Sequence, residues 1–382
     1  MTLTDIQTRA LLWRAYNDSA RKNKSLPKNV EFEMELERNM EDLARDLCNR
    51  TWSPSPMRCS IVHDPVQREV FSPAERDVIV SHLVFTMVNP LIDRVLIDDC
   101  YSCRKGRGTG MGLERFGHFY RSVTRNWTRK AYVLKLDISG YFISIDREIL
   151  RDMFHSVLEK FRFLPAGDGR VWDEVIDYGL VFFVVDSVLD NDPCRDAVRV
   201  GWPERWRGLP ANKSMFNAEK GKGVVIGDVL SQMFGNLYLN PLDHYVKRVL
   251  KEKAYGRYVD DPFIISTDRE RLKRDLKLIA EFLKRYGLKL NMNKTRIIPT
   301  PNDVEFLGCV FKPFCTHVTN RTVRRFRARC GRLHALLLAG DRDGAFRYVR
   351  ESVSGSMEYI RRFDSKRLAE RTLASAGFLR KN

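Results

Sequence analysis

The stretch RYVDDPFIIS, residues 257–266, decides the fold. Strong β-forming residues flank two adjacent acids, which predicts a β-hairpin with Asp260 and Asp261 at its tip. Adjacent acids repel each other and are poor strand formers, so their position between two short strands indicates a function. The alternative is an Asx turn, in which a carboxylate only satisfies nearby backbone groups.

A third acid, Asp137, ends the apolar run of residues 132–136, where an acid without a partner is expensive to bury. Acids brought together from two strands suit hard cations that take oxygen ligands, Mg²⁺ above all. Two such ions about 4 Å apart can hold the attacking and leaving oxygens of a phosphoryl transfer. The alternative for Asp137 is a helix N-cap.

These acids belong to an ordered set of motifs that resembles the reverse transcriptase family. The set runs from about Arg68 to Lys312 and comprises LDISGYF (136–142), IGDVLSQ (226–232), YVDD (258–261), GLKLN (287–291) with Lys294, and FLG (306–308). The resemblance implies an α+β right-hand polymerase with fingers, a ferredoxin-like palm and a helical thumb. It also implies RNA-templated DNA synthesis from dNTPs, with template RNA and cDNA as partners.

The middle motif indicates a subgroup. Most of the family has Gln-Gly at its start and Ser-Pro at its end, whereas this chain has Ile226-Gly227 and Ser231-Gln232. That form resembles the reverse transcriptases of prokaryotic diversity-generating retroelements. The resemblance implies that cDNA is made with errors at adenines and replaces a variable region of a target gene. It also implies a small basic helical accessory protein.

Roles for individual residues follow from the same resemblance. Asp137 and Asp260 are expected to hold two Mg²⁺ ions, with Mn²⁺ as a substitute, while Asp261 assists and the Ile138 carbonyl adds a ligand. Alternatives stay open: surface salt bridges for the arginines, core packing for Phe142, and a solvent-exposed side chain for Lys294. The expected nucleotide-binding residues are Arg68 and Arg76 for the triphosphate, Phe142 against the ribose 2′-hydroxyl, Ile226 in place of a glutamine, Gly227, Gln232, and Lys294 for the pyrophosphate.

The charge of the chain predicts a polyanionic partner. There are 66 Lys and Arg residues against 49 Asp and Glu, a net charge of +17, which most often indicates nucleic acid. Residues 313–382 hold 16 of the basic and 6 of the acidic residues. Their basic positions recur at helical spacing, which predicts either a backbone-binding helix or a solvated helix face. The predicted nucleic-acid contacts are Arg104, Lys105, Arg107, Arg321, Arg324, Arg325 and Arg329.

The remaining features set the organisation of the chain. We predict a helical N-terminal extension over 1–60, fingers and palm over 61–312, and a basic helical thumb over 313–382, with a loop-rich insertion at 165–222. No run of 18 apolar residues and only eight cysteines occur, so we expect no membrane span, no disulfide scaffold and a cytoplasmic location. Pro262, which has no N–H, departs from the motif and suits a first or edge strand position.

Two other functions remain open at this point. The first is an antiviral reverse transcriptase that makes a defensive DNA product, since such enzymes share the palm motifs. The second is a polymerase relic that only binds RNA, against which the three intact acids argue.

Overall fold

A computed structural model of the chain describes residues 3–20, 27–63 and 66–375. The helices are α1 (Asp5–Ala20), α2 (Pro27–Met34), α3 (Leu36–Cys48), α4 (Glu75–Val95), α5 (Thr109–Thr124), α6 (Tyr141–Ser144), α7 (Arg147–Phe161), α8 (Tyr178–Asp190), α9 (Val229–His244), α10 (Arg269–Lys284), α11 (Asn320–Leu338), α12 (Arg342–Tyr348), α13 (Ser354–Arg361) and α14 (Lys366–Ser375). The strands are β1 (Arg58–Val62), β2 (Arg68–Ser72), β3 (Tyr132–Lys135), β4 (Val198–Val200), β5 (Tyr255–Tyr258), β6 (Asp261–Ser266), β7 (Arg296–Pro299), β8 (Val304–Phe306), β9 (Cys309–Lys312) and β10 (Cys315–Val318).

A four-stranded antiparallel sheet in the order β5-β6-β3-β7 forms the centre of the molecule. Helix α9 precedes β5 and helix α10 connects β6 to β7. Numbered in chain order, the four strands therefore lie across the sheet in the order 4-1-3-2, the arrangement of a ferredoxin-like βαββαβ unit. The expected palm is confirmed.

Both faces of this sheet are buried, because successive side chains of a strand point to opposite faces. Leu134 and Ile264 pack into one core with the N-terminal helices, α4 and α9. Val133, Phe263 and Ile265 pack into a second core with α5, β9 and α11. The apolar runs on both sides of the acids thus reflect a sheet between two layers.

The second sheet has the order β2-β1-β4, with β1 antiparallel to β2 and parallel to β4. Strand β4 comes from the segment 165–222, which also contributes α8. The prediction of a loop-rich insertion was therefore incomplete. The carboxylate of Glu69 in β2 accepts from the Ser214 hydroxyl (2.8 Å) and the Met215 N–H (2.7 Å), which fastens the far end of the segment to this sheet.

The boundaries predicted for the two terminal regions differ in detail from those in the structure. Helices occupy the N-terminal region to Cys48, as expected, and β1 starts at Arg58. At the other end, β10 pairs with β9 across the expected boundary at residues 312/313, so the helices of the basic region begin only at Asn320. Helix α4 is long and apolar enough to cross a membrane by length and composition. It packs against α1, α7 and α9, as a core helix does.

Candidate active site

The β5–β6 hairpin forms as predicted, with Tyr258 opposite Asp261 and only Val259 and Asp260 between them. Val259 has a positive φ of 53°. A left-handed backbone costs an L-residue roughly 1–2 kcal/mol and is unusual for a β-branched one. The strain lies at the residue that precedes Asp260, so the surrounding structure must hold this turn in place.

Asp137 lies beside the tip of this hairpin. Pairing continues past the end of β3, because the Leu136 N–H donates to the Pro262 carbonyl at 3.0 Å. The Asp137 carbonyl accepts from the Asn291 N–H (2.7 Å), and its N–H donates to the Thr295 hydroxyl (3.3 Å). Asp137 is therefore held on both sides and is no helix cap; α6 starts after Gly140.

The three carboxylates share one electrostatic site. Burial, together with the negative charges of Asp261 and Asp137, raises the pKa of Asp260 to about 6. Burial also raises the pKa of Asp261, together with Asp137, while Lys135 and Lys294 oppose the shift. The Lys294 Nζ lies 3.9 Å from Asp137 Oδ1. An isolated Asx turn does not account for this convergence of charge from three chain segments.

The carbonyl of Ile138 is available on the expected side. Ile138 bridges to Leu290, and the bonds of that bridge are made by the flanking residues: Ser139 N–H to the Lys289 carbonyl (2.8 Å) and Asn291 N–H to the Asp137 carbonyl. In such a pair the N–H and carbonyl of the central residue point away from the partner. The Ile138 carbonyl thus points to the side of the hairpin.

Pro262 lies in a different place from the one its chemistry suggested. It is the second residue of β6, which is flanked by β5 and β3 and is therefore a central strand. Its carbonyl accepts from Leu136, but proline has no N–H for the reciprocal bond. The expectation of a first or edge position was wrong, and the missing bond falls between the two strands that carry the acids.

The loop before α9 packs against the fingers strand β2. The Phe71 N–H donates to the Ile226 carbonyl at 3.0 Å. Gly227 has φ +135°, and a Cβ there would lie 2.3 Å from the Phe71 carbonyl oxygen, so only glycine fits. Ile226 is half-buried, whereas Gly227 and Gln232 are exposed. Asp228 caps α9 by accepting from the Leu230 N–H (3.1 Å), and burial raises its pKa to about 6.

Phe142 and Gly140 connect the Asp137 motif to its surroundings. The Phe142 side chain is half-buried, and its ring lies against Gly235 of α9. This contact fits the alternative of core packing for Phe142. Gly140 has φ +53°, and a Cβ there would lie 2.7 Å from the backbone oxygen of Asn212. Segment 165–222 therefore reaches the active-site motif. The sequence did not predict this contact.

Several cations predicted to bind nucleotide or nucleic acid are engaged within the protein. Arg76 donates to Asp46 of α3 at 2.9 Å, the salt bridge considered as its alternative, whereas Arg68 is exposed on β2. Arg104 has only 4% of its side chain exposed and pairs with Asp93 at 2.5 Å. It also donates to the Ile97 and Cys100 carbonyls, so its assignment to nucleic-acid binding was wrong.

The neighbours of Arg104 differ from it. Arg107 pairs with the Asp98 carboxylate at 3.0 Å and also donates to the Asp98 carbonyl, which holds the loop closed. Lys105 is exposed. Within this basic loop, only Lys105 keeps the accessibility expected of a contact to a phosphate backbone.

A cleft of about 840 Å³ extends from Asp261 to the basic helix α11. Asp261 and Lys135 line its palm end, and the turn of Leu307 and Gly308 lines its floor. Arg321, Arg325 and Arg329, one helical turn apart, line its far wall. Arg324, also predicted to contact nucleic acid, is exposed but does not line the cleft.

The sequence contained a signal for one missed residue. Lys135 lies two positions before Asp137, so the alternation of an extended strand places both on one face. Its ammonium group lowers the pKa of Asp261 and donates to the Glu305 carbonyl at 2.8 Å. Val133, one step further back, packs into the core beneath α11. The cleft is therefore the open end of the palm face that the thumb helices cover.

Comparison with solved structures finds telomerases. They include telomerase from Candida albicans with a fragment of telomeric RNA (14% identity, TM-score 0.48, 86% of this chain and 56% of that one). Apo telomerase from Candida tropicalis also matches (15% identity, TM-score 0.49, 72% of this chain and 50% of that one). The chain spans about half the length of these telomerase chains. No curated protein matches.

The family comparison is independent of these structures. The model of the reverse transcriptase (RNA-dependent DNA polymerase) family matches residues 79–311, more than half of the 382 residues. The match begins in α4 and ends in β9, so it includes the ferredoxin-like palm and all three acids. The chain belongs to the reverse transcriptase (RNA-dependent DNA polymerase) family and has its right-hand fold.

Proposed function

We propose that the chain is an RNA-directed DNA polymerase, in which Asp137, Asp260 and Asp261 form the catalytic centre and hold two Mg²⁺ ions. The observation that carries the proposal is the convergence of the three carboxylates, of which Asp261 lines the palm end of the cleft. When bound, the metal ions would supply charge neutralisation and alignment of the reacting oxygens.

The residues fit such ions. The carboxylates of Asp137, Asp260 and Asp261 and the outward Ile138 carbonyl form a donor set made only of oxygen atoms. The described residues contain no group of three or more His, Cys, Asp or Glu side chains already arranged around a metal. Mg²⁺ is usually held by one or two carboxylates together with substrate phosphates and water, so the incoming nucleotide would complete the ligand set.

The other residues of the site bind and orient the substrates. Lys294, beside Asp137, is placed to reach the triphosphate and to give a proton to the departing pyrophosphate. Phe142 and Ile226 lie beside the incoming nucleotide. Arg321, Arg325 and Arg329 hold the backbone of the template–primer duplex in the cleft. The primer 3′-hydroxyl is aligned for attack by this positioning, which is the main source of rate enhancement in phosphoryl transfer.

We further propose that the enzyme works in a diversity-generating retroelement and copies a template RNA with errors at adenines. The support is the Ile226-Gly227 and Ser231-Gln232 form of the middle motif. Isoleucine has no donor or acceptor for the incoming nucleotide, so less is lost when a mispaired nucleotide sits there. A small basic helical accessory protein, the enzyme's cytoplasmic location and its use of Mn²⁺ belong to the same proposal. The eight cysteines are free thiols, as in a reducing compartment.

Two measurements test these proposals separately. Asp260→Asn keeps the shape of the side chain and removes its charge, so primer extension should stop while RNA affinity stays within about twofold of the parent enzyme. Near-normal extension by this variant contradicts the metal-site assignment. Deep sequencing of the cDNA that the wild-type enzyme makes on the RNA encoded next to its gene tests the proposed role in a diversity-generating retroelement. Errors concentrated at template adenines support diversification, and a product without a corresponding template supports the antiviral alternative.

A further inference from the structure

A fully buried ion pair lies directly behind the catalytic hairpin. The Arg257 and Asp243 side chains are both 0% exposed, and Arg257 Nη2 lies 2.7 Å from Asp243 Oδ2. Arg257 Nε donates to both carboxylate oxygens, and the Tyr255 hydroxyl donates to Asp243 Oδ1 at 2.5 Å. Asp243 belongs to α9 and Arg257 to β5, so the pair joins the helix to the strand that leads into the turn.

The same guanidinium reaches the strained turn itself. Arg257 Nη1 donates to the Val259 carbonyl at 2.8 Å, and the Val259 N–H donates to the Ser102 hydroxyl at 2.9 Å. Arg257 also donates to the Asn236 side-chain and backbone oxygens, both at 3.2 Å, and the Ser102 hydroxyl donates to Asn236 Oδ1 at 3.1 Å. The two peptide groups that flank Val259 are thus held by one connected network.

We propose that Arg257 is a positioning residue for DNA synthesis, which holds the Val259 peptide in its left-handed conformation so that the Asp260 carboxylate faces Asp137. The peptide that Arg257 contacts is the one that joins Val259 to Asp260. Its rotation would swing the Asp260 side chain away from its partners. The inference rests on the proposed catalytic role of Asp260.

A purely structural role for the pair makes a different prediction. Replacing both partners of a buried ion pair by apolar residues of similar volume is often neutral for stability, whereas removing one partner leaves a buried charge. Arg257→Met/Asp243→Leu should therefore fold with a melting temperature near that of the wild type. It still lacks the donor to the Val259 carbonyl. Stability and catalysis then separate in this variant, because the two buried charges are removed together while the support of the Val259 carbonyl is lost.

The experiment compares full-length variants in primer extension on an RNA template, with Mg²⁺ titrated. For Arg257→Met/Asp243→Leu we expect kcat to fall about tenfold or more, equivalent to about 1.4 kcal/mol of transition-state stabilisation. The Mg²⁺ concentration for half-maximal rate should rise, with template–primer affinity unchanged. As a matched control, Arg271→Met removes a guanidinium that pairs with the buried Glu252 at 2.5 Å in another part of the palm. It should lower stability without changing the Mg²⁺ requirement.

A folded double variant with wild-type kcat and Mg²⁺ requirement overturns the proposal. If the double variant does not fold, Arg257→Lys decides, because a lysine keeps the charge beside Asp243 but cannot reproduce the guanidinium fork. Wild-type kcat in folded Arg257→Lys also overturns it. Asp260→Asn, assayed in parallel, separates the two assignments: an active Asp260→Asn refutes the catalytic role of Asp260, whereas an inactive one with unaffected Arg257 variants refutes only the positioning.

Discussion

The arginines of the thumb helix provide the sharpest test of the path of the nucleic acid. Arg321, Arg325 and Arg329 line the cleft, while Arg324 lies on the same helix and is exposed outside it. Replacing the three cleft arginines by glutamine removes three cations from the cleft and leaves the outer face unchanged. Arg324→Gln, with Arg327→Gln and Arg332→Gln, removes the same charge from exposed positions outside the cleft.

The magnitude follows from counterion release. Each phosphate contact contributes about 0.7–0.9 to the slope of log affinity against log salt concentration. Loss of three contacts should therefore flatten the slope by roughly 2–3. Over a fourfold rise in salt, the variant should lose about 16- to 64-fold less affinity than the wild type does. At low salt its affinity should be correspondingly weaker.

The assay measures binding of a template RNA–DNA primer duplex at several salt concentrations between about 50 and 200 mM, the range in which such slopes are commonly compared. The variant with the three outer arginines replaced should change the slope by less than the loss of one phosphate contact would, that is, by less than about 0.7–0.9. Equal slopes for the cleft variant and the wild type would refute the reasoning. So would an equal change in the two triple variants, because the effect would then depend on net charge alone.

Three further predictions concern the palm. Burial and neighbouring acids raise the pKa of Asp260 to about 6. In the metal-free protein this raised pKa should therefore favour the folded state increasingly as pH falls from about 6 towards 4. Thermal unfolding of wild type and Asp260→Asn checks this, and an equal pH dependence of the two proteins contradicts it. Gly227→Ala places a Cβ 2.3 Å from the Phe71 carbonyl oxygen and should cost roughly 1–3 kcal/mol of stability in denaturant unfolding. Nucleotide incorporation should fall as well. A variant as stable and active as wild type contradicts the packing of this loop against β2. Ile226→Gln places a polar group beside the nucleotide and should lower misincorporation opposite template adenine more than opposite other bases. Sequencing of cDNA made by wild type and variant checks this. An unaltered error rate at adenines in an active variant contradicts it.

Much of the palm could be predicted from the sequence because its signals are local. Residues 257–266 contain the end of β5 and all of β6, so the position of Asp260 and Asp261 needs only strand propensity and a two-residue turn. Asp137 follows its strand directly, and the resemblance of the ordered motifs to the reverse transcriptase family implied the ferredoxin-like palm. Helix periodicity also placed the arginines of α11 on a helix.

Only the tertiary structure decided which groups meet across long separations in the chain. Periodicity puts Arg324 and Arg325 on adjacent stripes, but the packing of α11 on the palm determines that Arg325 lines the cleft and Arg324 does not. The Arg257–Asp243 pair, the contact of Asn212 with Gly140 and the burial of Arg104 likewise depend on packing between different elements. A basic or acidic residue has the same local pattern whether its partner is water, a carboxylate or RNA. Its role is therefore set by which neighbours the folded core brings within hydrogen-bonding distance.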